Sequence, residues 1–308
     1  SLKPAEKKAV KRAYKNNNDI IGVCNKQVRP IKYKELPNDI KEPIESLYDG
    51  LWETVLNYAV VRAKCGTVKE HFNVFDKFDF EIPPVGVKFL TKQPDTVERL
   101  EGNMALCEML SKAQKGDAFF ADAQNHTCEA GHYVMGQTGI KEQFINGEWG
   151  ADLGVFCDPR AAARLYHYIP RIAPEVNRYV AMAPLSKLSF DPDVLIIFAN
   201  TDQAEIMLRA MSYKTGQMWS SRYSSAIGCA WMFVYPYLSG EINYGISGLG
   251  FGMRRRKLFP ENYLWLSIPF IAMPSFLQTL KEMPWVPAPY KPDGFEYVDK
   301  LKNRLGLD

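Results

Sequence analysis

The run Asp193-Val-Leu-Ile-Ile-Phe-Ala199 constrains this chain more than any other stretch. It is continuously apolar after its aspartate and bounded upstream by Pro192, the pattern of a strand buried on both faces. Asn200 follows at once with Gln203 three residues on, so the spacing predicts a capping box that opens a helix over TDQAEIMLRAMSYKTG, closed at Gly216. A strand, a tight turn and a helix in that order need cover on both sides of a sheet. The expected class is therefore α+β or mixed α/β, with a central mixed sheet flanked by helices. Residues 85–90, 193–199 and 263–269 are the expected strands of that sheet, with AFFADA as a further short one. In VGVKFL, alternation sets Val85, Val87 and Phe89 on one face and Gly86, Lys88 and Leu90 on the other, with Lys88 expected to reach water.

Helical periodicity recurs elsewhere. Leu47, Leu51, Val55, Ala59 and Val60 share one face of a segment over 44–64 that Gly66 would cap. Asp95 or Thr96 is positioned to cap a helix running to about Lys115, with Cys107 on its apolar stripe and Gly116 at its end. Residues 141–158 read as a hairpin-like piece turning at Asn146-Gly147. Asp158-Pro159 opens a short helix, Ser224 or Ser225 opens another that carries IGCAWMFVYPYL to Ser239-Gly240, and PSFLQTL closes the set. Residues 1–45 hold charge and few large apolar groups, so they are read as a peripheral arm, with 46–308 as one compact domain.

Charge excludes some partners. A net charge of +3 from 38 basic and 35 acidic residues is too weak a bias to imply nucleic acid or an anionic membrane. No run of about 18 apolar residues exists to make a membrane-spanning helix. The lysine-rich start lacks the apolar centre of a secretory signal, so a cytoplasmic location is expected. The six cysteines are scattered through a long chain, which argues against a disulfide framework and for free thiols or a metal.

Chemistry concentrates in Asn103–Gly139, which gathers Cys107, Cys128, His126 and His132. With Cys229 brought in by the fold, Cys107, Cys128 and His126 form a ligand set suited to zinc, iron or an iron–sulfur cluster, although the spacing fits no finger or ferredoxin pattern. Cys128 in a turn that opens a helix is alternatively a thiolate nucleophile, with His132 as its base and Cys107 beside them. Buried inert cysteines are the third reading. The glycines at 245, 248, 250 and 252 precede Arg254, Arg255 and Arg256, so Gly248, Gly250 and Arg254, with Asn200 and Cys229, are candidates for holding a cofactor or anion. That run matches neither a P-loop nor a dinucleotide fingerprint, and a tight backbone crossing explains it equally well. GxSxG and HExxH are both absent. The site is expected where the 126–136 turn, the 200–203 cap and the 245–254 loop meet.

Several segments carry a resemblance: PPVGVKFL at 83–90, Cys107 in its helix, CEAGHYVMG at 128–136, DPDVLIIFANTDQAEIMLRA at 191–210 and GCAWMFVYPYLSGEINYGISGLGFGMR at 228–254. In this order they resemble the uncharacterised family known as domain of unknown function 169, over roughly residues 45–285. The resemblance implies a cytosolic protein of the bacterial and archaeal kind, many of them from anaerobes, with no agreed reaction. It singles out Cys107, Cys128 and Cys229 and leaves Cys24, Cys65 and Cys157 as ordinary residues. The family's glycine loop often holds another cysteine where Gly248, Leu249 and Gly250 stand here, so a cluster with four cysteine ligands would need a histidine or an external ligand to complete it.

The expected function is an enzyme acting on a small aromatic or carboxylated molecule at this cysteine site, with a metal or redox cofactor or a thiol nucleophile. A non-catalytic carrier of a metal, cofactor or apolar ligand is the alternative. A small-molecule ligand is the expected partner, and a homo-oligomer is left open.

Overall fold

A computed structural model describes residues 69–138, 142–172, 177–286, 300 and 302–307. The expected N-terminal arm, the helix over 44–64, Cys24 and Cys65 lie outside the described residues. The sheet strands in chain order are β1 (Val85–Leu90), β2 (Phe119–Asp122), β3 (Tyr179–Pro184), β4 (Val194–Ala199), β5 (Asn243–Ile246) and β6 (Leu264–Pro269). They lie in the order β2-β3-β1-β4-β6-β5. The apolar run that dominates the sequence is thus an interior strand. All six residues of β4 are buried, flanked by β1 through Val85↔Ile196 and Val87↔Val194 and by β6 from Val194↔Pro269 to Ala199↔Leu264.

Every ladder of this sheet is antiparallel, where a mixed sheet was expected. Among the described residues, parallel pairing occurs only in the isolated bridges Arg99↔Phe120 and Met104↔His126. Connectivity explains this. A single crossover helix after β4 would return the chain into a parallel neighbour. Here two helical segments intervene before the chain re-enters at the edge strand β5, so β4 is left to pair with β6. The architecture is α+β, and the buried apolar side chains from Phe72 to Met283 form one main core cluster.

The helices are α1 (Leu106–Gln114), α2 (Glu129–Val134), α3 (Glu142–Ile145), α4 (Glu148–Asp152), α5 (Pro159–His167), α6 (Thr201–Ser212), α7 (Tyr235–Ser239), α8 (Phe251–Arg256) and α9 (Met273–Glu282). α6 opens with the expected reciprocal box. Asn200 Oδ1 accepts the Gln203 N–H at 3.0 Å, and Gln203 Oε1 accepts the Asn200 N–H at 3.1 Å.

Three local expectations change. α1 begins at Leu106, about ten residues later than its periodicity suggested, because the backbone before it is already paired. The Phe120 N–H donates to Glu98 O at 2.8 Å and the Leu100 N–H to Phe120 O at 2.7 Å. The 141–158 piece is no hairpin. Gly147 supplies the left-handed turn, with φ 82°, but it joins α3 to α4, whose Phe144 and Trp149 pack edge to face at 4.9 Å. Lys88 is buried: it pairs with Asp193 at 3.6 Å and donates to Asp191 O at 3.2 Å, the pairing that lets a lysine leave water.

The helical segment carrying Cys229 widens into a π-turn at Ala230–Val234 before continuing as α7. Pro236 explains the change of pitch, since it has no N–H for the carbonyl four residues back and its ring crowds that carbonyl. Asn243, fully buried on β5, clamps the turn. Its Nδ2 donates to Trp231 O and to Arg222 O, both at 2.8 Å, and its Oδ1 accepts the Arg222 N–H at 2.9 Å. One carboxamide therefore ties the π-turn, the 222 segment and the sheet edge together. Asn243→Leu, similar in size but without hydrogen bonds, leaves the buried Trp231 carbonyl and the part-buried Arg222 groups without this partner and should cost about 1–3 kcal/mol. Urea unfolding should show the loss as a lower midpoint at unchanged slope, and an unaltered midpoint would remove the clamp from the account.

Candidate functional site

Two connections gather the thiols. The first is the bridge between Met104 and His126, in which the Met104 N–H donates to Asn125 O at 2.8 Å and the Thr127 N–H to Met104 O at 3.2 Å. It lays the residues leading into α1 beside the 126–128 turn, so Cys107, second residue of α1, and Cys128, N-cap of α2, come from adjacent backbone. The second is the packing of the π-turn against α2 and against β5 and β6, which brings Cys229 to the same place. All three thiols are free, with Cys107 and Cys229 buried and Cys128 partly open to solvent.

Both buried thiols sense Cys128. Burial pushes the Cys107 thiol up to about 11; the Cys128 and Glu108 charges add to this, while Arg256 and the residue's own N–H oppose it. Burial raises the Cys229 thiol well above its ordinary value, Cys128 and Cys107 raise it further, and the N–H groups of Cys229 and Ala230 act the other way. Cys128 thus acts on both buried thiols, and Cys107 acts on Cys229. Among the described residues, however, no three His, Cys, Asp or Glu side chains form a group that could hold a metal ion as placed.

The glycine loop closes the far wall. The Phe251 N–H donates to Ser225 O at 2.9 Å, and a Cβ on Gly228 would stand 3.5 Å from Gly250 Cα. Between these two glycines sits the Tyr223 hydroxyl, 2.9 Å from the Cβ position of Gly228 and 2.8 Å from that of Gly250. The hydroxyl is buried without a hydrogen-bond partner, and burial followed by the neighbouring Cys229 raises its pKa. Ile227, one residue before Gly228, has φ 51°, an outlier for a β-branched residue that strains the turn into Cys229.

His126 is buried with neither ring nitrogen hydrogen-bonded, and burial, then His132, holds its pKa down to about 3 against the pull of Asp122. Its ring stacks on His132 at 5.2 Å. His132 Nε2 is 2.7 Å from Ala123 O and so donates to that carbonyl. The His132 backbone N–H donates to Cys128 O at 3.0 Å, but among the described residues no side-chain hydrogen bond joins the imidazole to the Cys128 thiol. Gly248 lies in the same loop as Gly250 with φ 80°. Asn200 spends its side chain on the α6 cap, and that cap faces Asp79 through Gln203 at 2.7 Å. Arg254 and Arg256 are both exposed on α8; Arg256 pairs with Glu108 at 3.5 Å, and its charge lowers the Cys107 pKa. Sequence reasoning named Arg256 but favoured its neighbour Arg254, and it singled out neither Glu108 nor the Tyr223 hydroxyl. Only Glu108 left a local trace, as the third helical residue whose carboxylate caps the Ala105 N–H.

The charges around Cys107 give opposed expectations for the metal-free protein. Arg256→Gln removes a cation, raises the thiol pKa further and should slow alkylation at pH 9. Glu108→Gln keeps the cap, removes an anion and should speed it. Each change should be roughly threefold, the effect of half a pKa unit on the thiolate fraction, read by mass spectrometry of the Cys107 peptide. Equal rates in both variants would place these charges away from the thiol.

Among the described residues no helix is long and apolar enough to cross a membrane. No curated protein and no solved structure matches the chain. A family model does match, over residues 76–278, about two-thirds of the sequence, and that span includes the three thiols, His126, Tyr223 and Arg256. The chain belongs to the domain of unknown function 169 family (DUF169), described as uncharacterised ArCR.

Proposed function

We propose that this chain is a redox-cofactor protein in which Cys107, Cys128 and Cys229 hold an iron–sulfur cluster beside a small-molecule site. What supports the reading is that three free thiols sit on elements packed together, α1, the α2 cap and the segment leading into the π-turn, with Cys128 acting on both buried ones. A single buried cysteine is an ordinary small core residue. Three together become costly once ionised, because their thiolates repel one another in a medium that screens poorly. A cationic centre turns that repulsion into ligation, and soft thiolates select iron–sulfur, zinc or copper(I).

A polynuclear centre is the form of this reading that asks least of the ligand spacing. Thiolates on one tetrahedral ion at about 2.3 Å sit roughly 3.7 Å apart, and no such closed set occurs among the described residues. A cluster separates its ligands by intervening iron and sulfide, so looser convergence suits it. When bound, such a cluster supplies one-electron redox or Lewis-acid chemistry. The chain's own groups do the rest. The N–H groups of Cys107, Cys229 and Ala230 favour the charged sulfurs, and Arg256 supplies positive charge. The Tyr223 hydroxyl is available to hydrogen-bond an aromatic or carboxylated molecule that enters from the more open Cys128 side.

Anaerobic purification followed by reconstitution with ferrous iron and sulfide should give broad visible absorption with iron and acid-labile sulfide in equal amounts. Cys107→Ala, Cys128→Ala and Cys229→Ala should each lose most of it, roughly tenfold in iron content if a ligand bond worth about 1.4 kcal/mol or more is removed. Cys157→Ala, at an exposed cysteine remote in sequence from the cluster set, should retain it. A colourless, iron-free protein, or equal losses in all four variants, would overturn the reading.

A further inference from the structure

We infer that the outer face of α8 and the glycine loop before it, centred on Phe251, Arg254 and Arg255, is the docking surface for a small acidic electron-carrier protein; the inference rests on the redox reading above. The helix is two-sided. Residues three and four apart share a helix face, so Phe251, Arg254 and Arg255 lie together and Met253 and Arg256 lie apart from them. Met253 is buried, and Arg256 pairs with Glu108 at 3.5 Å, so that side faces the start of α1, where Cys107 sits. On the other side Phe251 is 41% exposed, Arg254 and Arg255 are exposed, and neither arginine is ion-paired among the described residues.

The loop extends this face with apolar side chains. Ile246 is 52% and Leu249 46% exposed, and the Leu249 N–H donates to Ile246 O at 3.4 Å, which folds both onto one turn. Lys257 ends α8 in the left-handed region, at φ 50°, and completes a run of four cations at 254–257. Large apolar side chains scattered singly on a surface need no explanation, but a cluster of them beside arginines has the composition of a binding hot spot. The whole chain carries a net charge of only +3, so this cationic character is local.

Charge complementarity selects the partner. Unpaired cations around an apolar centre are matched by carboxylates around an apolar centre, the face of an acidic protein. A phosphate backbone would match the arginines and leave Ile246 and Leu249 in water. Position then selects the partner's role. A protein docked on the outer side of α8 stands about one helix diameter, roughly 10 Å, from the side that faces α1. Electron carriers use such small, electrostatically steered contacts. One electron passes from the reduced carrier to the centre, oxidising the first and reducing the second, with no atom transferred.

The test is calorimetric titration of the full chain with a small acidic ferredoxin at low salt, before and after anaerobic reconstitution with ferrous iron and sulfide. Binding should saturate, and it should weaken as salt rises to about 0.15 M, where screening acts over about 8 Å. Arg254→Glu combined with Arg255→Glu should weaken it at least about tenfold, or about 1.4 kcal/mol. Phe251→Ser should weaken it several-fold and keep the salt dependence. Arg160→Glu combined with Arg164→Glu, at exposed positions of α5, changes the net charge by the same amount and should bind as the native chain does. All the substituted side chains are exposed, so every variant should keep the native urea midpoint. No binding, an equal loss in the α5 pair, or capture by phosphatidylserine vesicles in place of the ferredoxin overturns the docking surface and leaves the cluster reading standing. Arginine-dependent binding to a chain that takes up no iron upholds the surface and overturns the cluster.

Discussion

The carboxamide of Asn243 is the interaction on which the site most depends. A π-turn leaves carbonyls out of register with their usual donors, and such a turn persists only where another group compensates. Asn243 does so from the edge of the sheet, taking Trp231 O and both backbone groups of Arg222. The strand that frames the fold thereby also places Cys229, Tyr223 and the strained Ile227. On the opposite wall the short bridge between Met104 and His126 does the corresponding work for Cys107 and Cys128. The sheet itself contributes none of the candidate ligands. They come from helix starts and turns that these two connections hold against it.

That arrangement sets the electrostatic character of the pocket. Burial raises the Cys107 and Cys229 thiols, so without a metal they are protonated at neutral pH. Loading a cationic centre must therefore release protons, and affinity should rise with pH until the thiols no longer need to be deprotonated. Arg256 lowers the cost of ionising Cys107, while Glu108, which pairs with Arg256 and caps α1, limits how far that goes.

What the sequence revealed follows from how local each signal was. The β4–α6 unit was legible because its evidence lies within a few residues: an unbroken apolar run, then Asn200 and Gln203 at capping distance. β1 and β6 were legible for the same reason. β3 was not, because YVAMAP is short and mixes small residues with large ones, and it is defined by its pairing with β1 and β2. The premature start expected for α1 has a similar origin, since Glu98 and Leu100 keep a helical spacing of apolar neighbours but give their backbone bonds to Phe120. At the site, residue type pointed to Cys107, Cys128, Cys229 and His126. Which arginine would reach them was not readable, because Arg254 and Arg256 differ only in which face of the short α8 they occupy. Tyr223 left no trace in sequence either, as its hydroxyl is defined by two glycines from other segments, Gly228 and Gly250.

The central claim is that three thiols from separate elements share one metal centre. It is tested most directly by diffraction from crystals of the anaerobically reconstituted protein at energies on either side of the iron absorption edge. The account predicts one strong anomalous peak enclosed by the sulfurs of Cys107, Cys128 and Cys229, each at about 2.3 Å from iron. Three sulfurs in mutual van der Waals contact with no anomalous density between them, in protein shown to have been exposed to iron and sulfide, would contradict it.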